Sequence, residues 1–264
     1  MNHKIFLTGF VLCAGLSAFG ATPLTQSTFT EIINQANVVA AATKNTTPAR
    51  TNEVFKAPDL VRTGPSSRVE MTAPDKTITR IGANSVFTFE DERTIRLEKG
   101  SILFHSPAGM GGGAVKNRGT AAAVLGTTMI CAVLSDGSFK IMCLEGFVKV
   151  TLSNGLSVTL KAGEMIIVPP DGLSFGSLMQ FNIGQVVGEL QLTGGFSHEL
   201  SSMPLIDAAI KEQNTQIANG QAGPFVSDQV AVAGLDVIGQ SGGEFPPWLN
   251  PVDHTIFQIS PVEP

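Results

Sequence analysis

The feature that most constrains this chain is the stretch at residues 126–164, where every apolar run is short and every interruption is a turn signal. Gly126-Thr127-Thr128 leads into an apolar run at 129–134, and Ser135-Asp136-Gly137-Ser138 breaks it. Further runs follow at 139–144, 147–152 and 156–160, separated by Glu145-Gly146 and by Ser153-Asn154-Gly155, and Lys161-Ala162-Gly163-Glu164 closes the stretch. Short β-prone runs punctuated in this way read as consecutive antiparallel strands.

The first hairpin has a testable register. A three-residue loop with a glycine bulge at Asp136-Gly137 pairs Leu134 with Ser138. In that register Cys131 and Cys143 share a face at diagonal positions, whereas a two-residue turn puts them on opposite faces. Met129, Cys131, Val133, Phe139, Ile141 and Cys143 then form one buried set, and Lys140 falls on the outer face. Two readings of the cysteines stay open: two thiols in the core, or a strained cross-strand disulfide between Cys131 and Cys143. The eleven residues between them exclude a CxxC redox motif.

The same grammar extends upstream. Strand signals occur at 60–63, 67–72, 77–81, 86–89, 94–97 and 102–104. Turns are expected at Gly64-Pro65-Ser66, Pro74-Asp75-Lys76, Gly82-Ala83-Asn84, Asp91-Glu92 and Lys99-Gly100. Val69 and Met71 alternate with Arg68 and Glu70, as on a half-buried strand. Residues 29–41 are long enough for a helix, but their Thr, Ile and Val content favours strands. No helical stretch interrupts the series, so a βαβ fold is excluded. The expected class is all-β: twisted, stacked antiparallel sheets with sandwich, roll or solenoid character.

Charge changes sharply after Asp171. Residues 1–171 hold 16 basic and 13 acidic side chains, whereas residues 172–264 hold only Lys211 against nine acidic ones. Apolar spacings of three and four at Ile183, Val186, Val187 and Leu190 predict a helix over 181–192, ended by Gly194-Gly195. Pro204 opens a second helix to Asn219, and Gly220 stops it. The region 172–220 therefore reads as a helical extension. Residues 221–264, rich in Gly and Pro with Trp248 between Pro247 and Leu249, read as a poorly ordered tail that docks locally at most.

The N-terminus reads as an export signal. Asn2-His3-Lys4 precedes an apolar segment at 5–19, and Ala18-Phe19-Gly20 places small side chains for cleavage after Gly20. The apolar segment is shorter than the ~20 residues of a spanning helix. Cleavage would remove Cys13 and leave no membrane span. Cys131 and Cys143 would remain, in an oxidising compartment.

The chain carries little that looks reactive. Its net charge of −5, with 15% charged residues, argues against nucleic-acid binding. His3, His105, His198 and His254 show no metal-ligand spacing, and no Gly-x-Ser-x-Gly elbow occurs. The glycine-rich loop at 106–113 lacks the Lys-Ser/Thr end and following helix of a phosphate cradle. Glu90-Asp91-Glu92 reads as a solvated turn rather than a cation site. No catalytic residue, cofactor or metal is expected, so the chain is not read as an enzyme.

Several turn motifs together resemble the FecR domain family, a periplasmic module. They are Arg62-Thr63-Gly64 with Ser67-Arg68-Val69-Glu70, then Ile81-Gly82-Ala83-Asn84 and Leu97-Glu98-Lys99-Gly100-Ser101-Ile102-Leu103. Ala122 with Gly126-Thr127-Thr128, Leu144-Glu145-Gly146-Phe147-Val148 and Lys161-Ala162-Gly163-Glu164 follow in family order. The motif turn residues are Gly64, Gly82, Gly100, Gly126, Thr127, Gly146 and Gly163, and the resemblance spans about 140 residues, 29–171. It implies a FecR-like β domain at 21–171 with a non-catalytic role in envelope signalling or protein interaction. Family transducers carry a cytoplasmic sigma-factor-binding region and a transmembrane helix ahead of this domain, and here a signal peptide stands there instead. The expected protein is a stand-alone, periplasmic or secreted FecR-like module that binds another envelope protein. The alternatives are a glycan- or polymer-binding domain, which one Trp and no Tyr disfavour, and a structural component of an exported assembly.

Overall fold

The structure, a computed structural model, describes residues 23–238. The expected signal segment at 1–20 and the end of the tail, with Trp248, lie outside the described residues. A 3-10 turn at Leu24–Gln26 precedes β1 (Thr28–Ile33), β2 (Ala36–Val39), β3 (Thr46–Pro48), β4 (Leu60–Thr63), β5 (Arg68–Thr72) and β6 (Ile78–Ile81). Then come β7 (Val86–Phe89), β8 (Thr94–Ser106), β9 (Gly113–Asn117), β10 (Thr120–Val124) and β11 (Thr127–Val133). The last strands are β12 (Phe139–Glu145), β13 (Phe147–Thr151), β14 (Ser157–Lys161), β15 (Glu164–Val168) and β16 (Met179–Gln180). Helices α1 (Ile183–Glu189), α2 (Gln191–Gly194), α3 (Met203–Ala218) and α4 (Asp228–Val232) follow.

The strands form two facing layers that share β8. The inner sheet runs β1-β5-β6-β8-β11-β12-β15-β16. The outer sheet runs β3-β2-β4-β7-β8-β9-β10-β13-β14. All pairings between the named strands are antiparallel except β8 with β9. Residues 95–99 of β8 pair with β7 in the outer sheet, and residues 100–106 pair with β11 in the inner one. The sequence pattern placed a turn at Lys99-Gly100. The chain instead changes sheets there without breaking, through a register shift opposite Val86 and a positive φ of 83° at Gly100. Strands that switch layers need such a bulge or kink. A Cβ on Gly100 would lie 2.5 Å from the Ser85 Cα, so only glycine lets the corner close.

Burial patterns follow from the layering. The outer sheet alternates, as in β13 with Phe147 and Lys149 exposed and Val148 and Val150 buried. The inner sheet does not alternate: β12 is buried at all seven positions. A strand covered on both faces reads as a continuous apolar run, which explains the consecutive Ile141-Met142-Cys143-Leu144. One core lies between the sheets and includes Val69, Phe87, Phe104, Cys131, Cys143, Val150 and Leu160. A second lies between the inner sheet and the helices, with Leu103, Ile130, Met142 and Met165 against Phe181, Ile183, Val186 and Ile206. Each such aliphatic or aromatic side chain contributes about 1.5–3 kcal/mol on full burial.

The hairpin has the bulged form. Leu134 N donates to Ser138 O, Gly137 has φ 86°, and Cys131 stands opposite Ile141 while Cys143 stands opposite Met129. Both thiols are free and buried in the inter-sheet core. Residues 29–41 are strands, β1 and β2. The helix expected over 181–192 breaks at Leu190, whose ψ of 136° is extended, giving α1 and α2. Asn182 caps α1 by accepting from Gln185 N, and α3 has Pro204 in its first turn. Residues 221–238, expected within the tail, include α4 and dock on the inner sheet through Ala231 and Leu235.

Candidate functional site

The register of the inner sheet sets His105, Thr128 and Glu145 side by side on β8, β11 and β12. Thr128 Oγ1 donates to Glu145 Oε1 at 2.7 Å and lies 3.0 Å from His105 Nδ1, while Nδ1 and Oε1 are 3.9 Å apart. Burial lowers the pKa of His105 and raises that of Glu145, so each group is pushed towards its neutral form. His105 is 4% exposed and Glu145 6%. A hydrogen-bonded acid and imidazole could relay a proton, but here they sit closed off within packed strands. The arrangement ties three strands together through polar side chains.

Beside it, Cys143 Sγ donates to the Glu145 carbonyl at 3.5 Å. Burial raises the pKa of both thiols, at Cys143 with help from Glu145. Neither sulfur is activated as a thiolate nucleophile.

Three further contacts fasten the C-terminal segment to the inner sheet. Arg80 on β6 is fully buried, with its Nε 2.8 Å from Glu70 Oε2 on β5. Its Nη1 donates to the Leu192 and Thr193 carbonyls and its Nη2 to that of His198, at 3.2, 2.9 and 2.7 Å. The guanidinium also lies 4.4 Å from the ring centroid of Phe196, within cation–π range. Lys140 on β12 is fully buried, and its Nζ donates to the Ala231 and Ala233 carbonyls. Burial pushes its pKa down to about 7. Asp236 Oδ2 accepts from Ala83 N, and burial raises its pKa. The face expected to be the outer one at Lys140 is therefore covered by the C-terminal segment, and Lys140 is buried rather than solvent-facing.

These groups escaped the sequence reading. A lysine inside a run apolar at both parities, such as Phe139-Lys140-Ile141-Met142, signals a charge buried on a doubly covered strand. Nothing local marks Arg80, whose carbonyl partners Leu192, Thr193 and His198 lie more than a hundred residues away.

The motif turn residues fall at several places. Gly126, Thr127 and Gly146 meet around the Thr127 hydroxyl, which donates to Phe147 O and accepts from Phe147 N. Thr63 Oγ1 donates to Gly82 O, Asn84 N donates to Gly64 O, and Gly100 forms the layer corner. Gly163 faces Gln213 of α3. Glu90 pairs with Arg96 and Lys116, and its bond to Lys116 holds its carboxyl below the usual value. No group of three metal-ligating side chains occurs among the described residues. A shallow cavity of about 430 Å³ lies against Glu90, Arg96, Leu97, Glu98, Asn117 and Arg118, away from the buried cluster.

The strands holding these groups are the ones that comparison with known proteins picks out. Residues 59–149 match the family model for FecR protein. The matched segment runs from β4 to the start of β13, so Arg80, His105, Thr128, Lys140 and Glu145 lie inside it and the helical partners of Arg80 and Lys140 lie outside. It is narrower than the span of the motif resemblance. Two crystal structures of a putative anti-sigma factor from Parabacteroides distasonis align at 21% identity and a TM-score of 0.44. The alignments cover 51% of this chain and 65% and 64% of those chains, so this chain spans less than two thirds of their length. No curated protein matches the sequence. Among the described residues no helix is long and apolar enough to cross a membrane.

Proposed function

We propose that this chain is a non-catalytic, exported FecR-domain protein that binds another envelope protein, as an interaction or signalling module in the periplasm or outside the cell. The FecR match over residues 59–149 carries the reading. Two features support it. The buried ionisable groups best suited to chemistry are engaged internally: His105 and Glu145 through Thr128, and Arg80 and Lys140 with backbone carbonyls. The outer sheet meanwhile turns one face outward among the described residues, with Phe147, Lys149, Thr159 and Lys161 exposed on it. Phe147 is the one large exposed aromatic among the described residues, a poor platform for stacking sugars, so the glycan-binding alternative is not favoured.

Crosslinking in intact cells tests the reading. A discrete envelope protein is expected to co-purify, and N-terminal sequencing is expected to begin at Ala21. Recovery of the chain with Met1 intact and with no envelope partner would overturn it.

A further inference from the structure

We propose that the free edge of β14 is the docking site, and that it accepts an extended segment of the envelope partner, with alternating acidic and apolar side chains, as an added strand. The proposal rests on the functional reading above and names the surface and the chemistry of its partner.

The other sheet edges are blunted. β16 is bridged by the chain at Phe225, and Val226 N donates to Gln180 O. The start of β1 is covered by residues 52–55, through Phe29 N to Glu53 O and Asn52 N to Phe29 O. β3 has three residues and ends on Pro48, a residue type that discourages pairing. Among the described residues no backbone group bonds to the open side of β14, which pairs with β13 alone.

The ladder shows which groups point outward. Leu152 N donates to Leu156 O, and alternation along an antiparallel pair makes 150/158 and 148/160 the next bonded pairs. Ser157, Thr159 and Lys161 therefore turn their backbone groups to the open side. Lys161 N confirms this by bonding to Glu164 Oε2 instead of to β13.

Charge and pattern choose the occupant. Residues 99–135 and 146–163, which include β9, β10, β13 and β14, hold no Asp or Glu. Lys149 and Lys161 are exposed on the outer face, and neither forms an ion pair among the described residues. Carboxylates on the same face of an added strand would meet them. On its other face the strand would continue the inter-sheet core beside Leu160 and cover Val158, which is half-buried. Strand addition of this kind takes affinity from the backbone and specificity from alternate side chains.

The probe is a fluorescent peptide of alternating valine and glutamate, titrated against the full chain by anisotropy. Binding is expected, weakened at least about tenfold by Thr159→Pro, which blocks the open side and spares the β13 bonds. A similar loss is expected on exchanging the peptide's glutamates for lysines. Lys149→Glu with Lys161→Glu should do the same, and carries the test if Thr159→Pro fails to fold. No binding, equal binding by Thr159→Pro, or equal binding of the lysine peptide would overturn the proposal. So would a dimer that Thr159→Pro dissolves, since a second copy would then occupy the edge. An envelope partner retained by Thr159→Pro in cells would sink the edge proposal and leave the functional reading standing. Failure of the wild-type chain to capture any partner would sink the functional reading, with the peptide titration deciding the edge independently.

Discussion

Replacing Lys140 with methionine should flatten the dependence of stability on pH just above neutrality. The Lys140 ammonium is fully buried against two backbone carbonyls, and its pKa falls from 10.5 to about 7. The unfolded chain therefore binds more protons than the folded chain between those values. Stability rises with pH across that window, and the penalty is complete below the folded pKa. The shift corresponds to about 5 kcal/mol at low pH. Between pH 7 and 8.5 the wild type should gain about 2 kcal/mol relative to Lys140→Met. The chain has no tyrosine to titrate nearby, and the raised thiols of Cys131 and Cys143 cancel in the comparison. The variant strands the Ala231 and Ala233 carbonyls at a cost of about 1–3 kcal/mol each, so its stability at any single pH decides nothing. The difference between two profiles decides. Urea unfolding followed by circular dichroism at several pH values measures it. A wild-type-minus-variant difference that stays constant from pH 7 to 8.5 would refute the buried-amine account.

Three further outcomes are expected. Arg80→Met should cost about 3–5 kcal/mol in urea unfolding, because it leaves the buried Glu70 carboxylate without its partner; a loss below about 1 kcal/mol would contradict the clamp. Gly100→Ala should lower the melting temperature sharply or prevent soluble expression, since the new methyl meets Ser85 at a φ of 83°. An unchanged melting temperature would show that the corner can relax. Cys143→Asp should destabilise by several kcal/mol, in the range for an unpaired buried charge, and an unaltered unfolding midpoint would refute the burial of that position.

The all-β class and the bulged hairpin follow from local rules that a single strand and its neighbour enforce. Gly137 permits the bulge, and side-chain parity then fixes which residues share a face with Cys131. The turn motifs carried the family resemblance for a related reason: tight turns restrict residue choice wherever they occur. The two helices were visible from apolar spacing. The break of the first at Leu190 was not, because the extended backbone there pairs with Val237, far along the chain.

Tertiary structure decided the rest. The layering made β8 one strand through an expected turn, because two packed sheets needed a shared corner at Gly100. The helical cover turned the second face of the inner sheet into a core, and so buried Lys140 and Arg80 beneath residues remote in sequence. Local pattern shows that a strand has two faces. Which of them meets water depends on what the remainder of the chain lays over it, and burial then sets the pKa values of Lys140, His105 and Glu145.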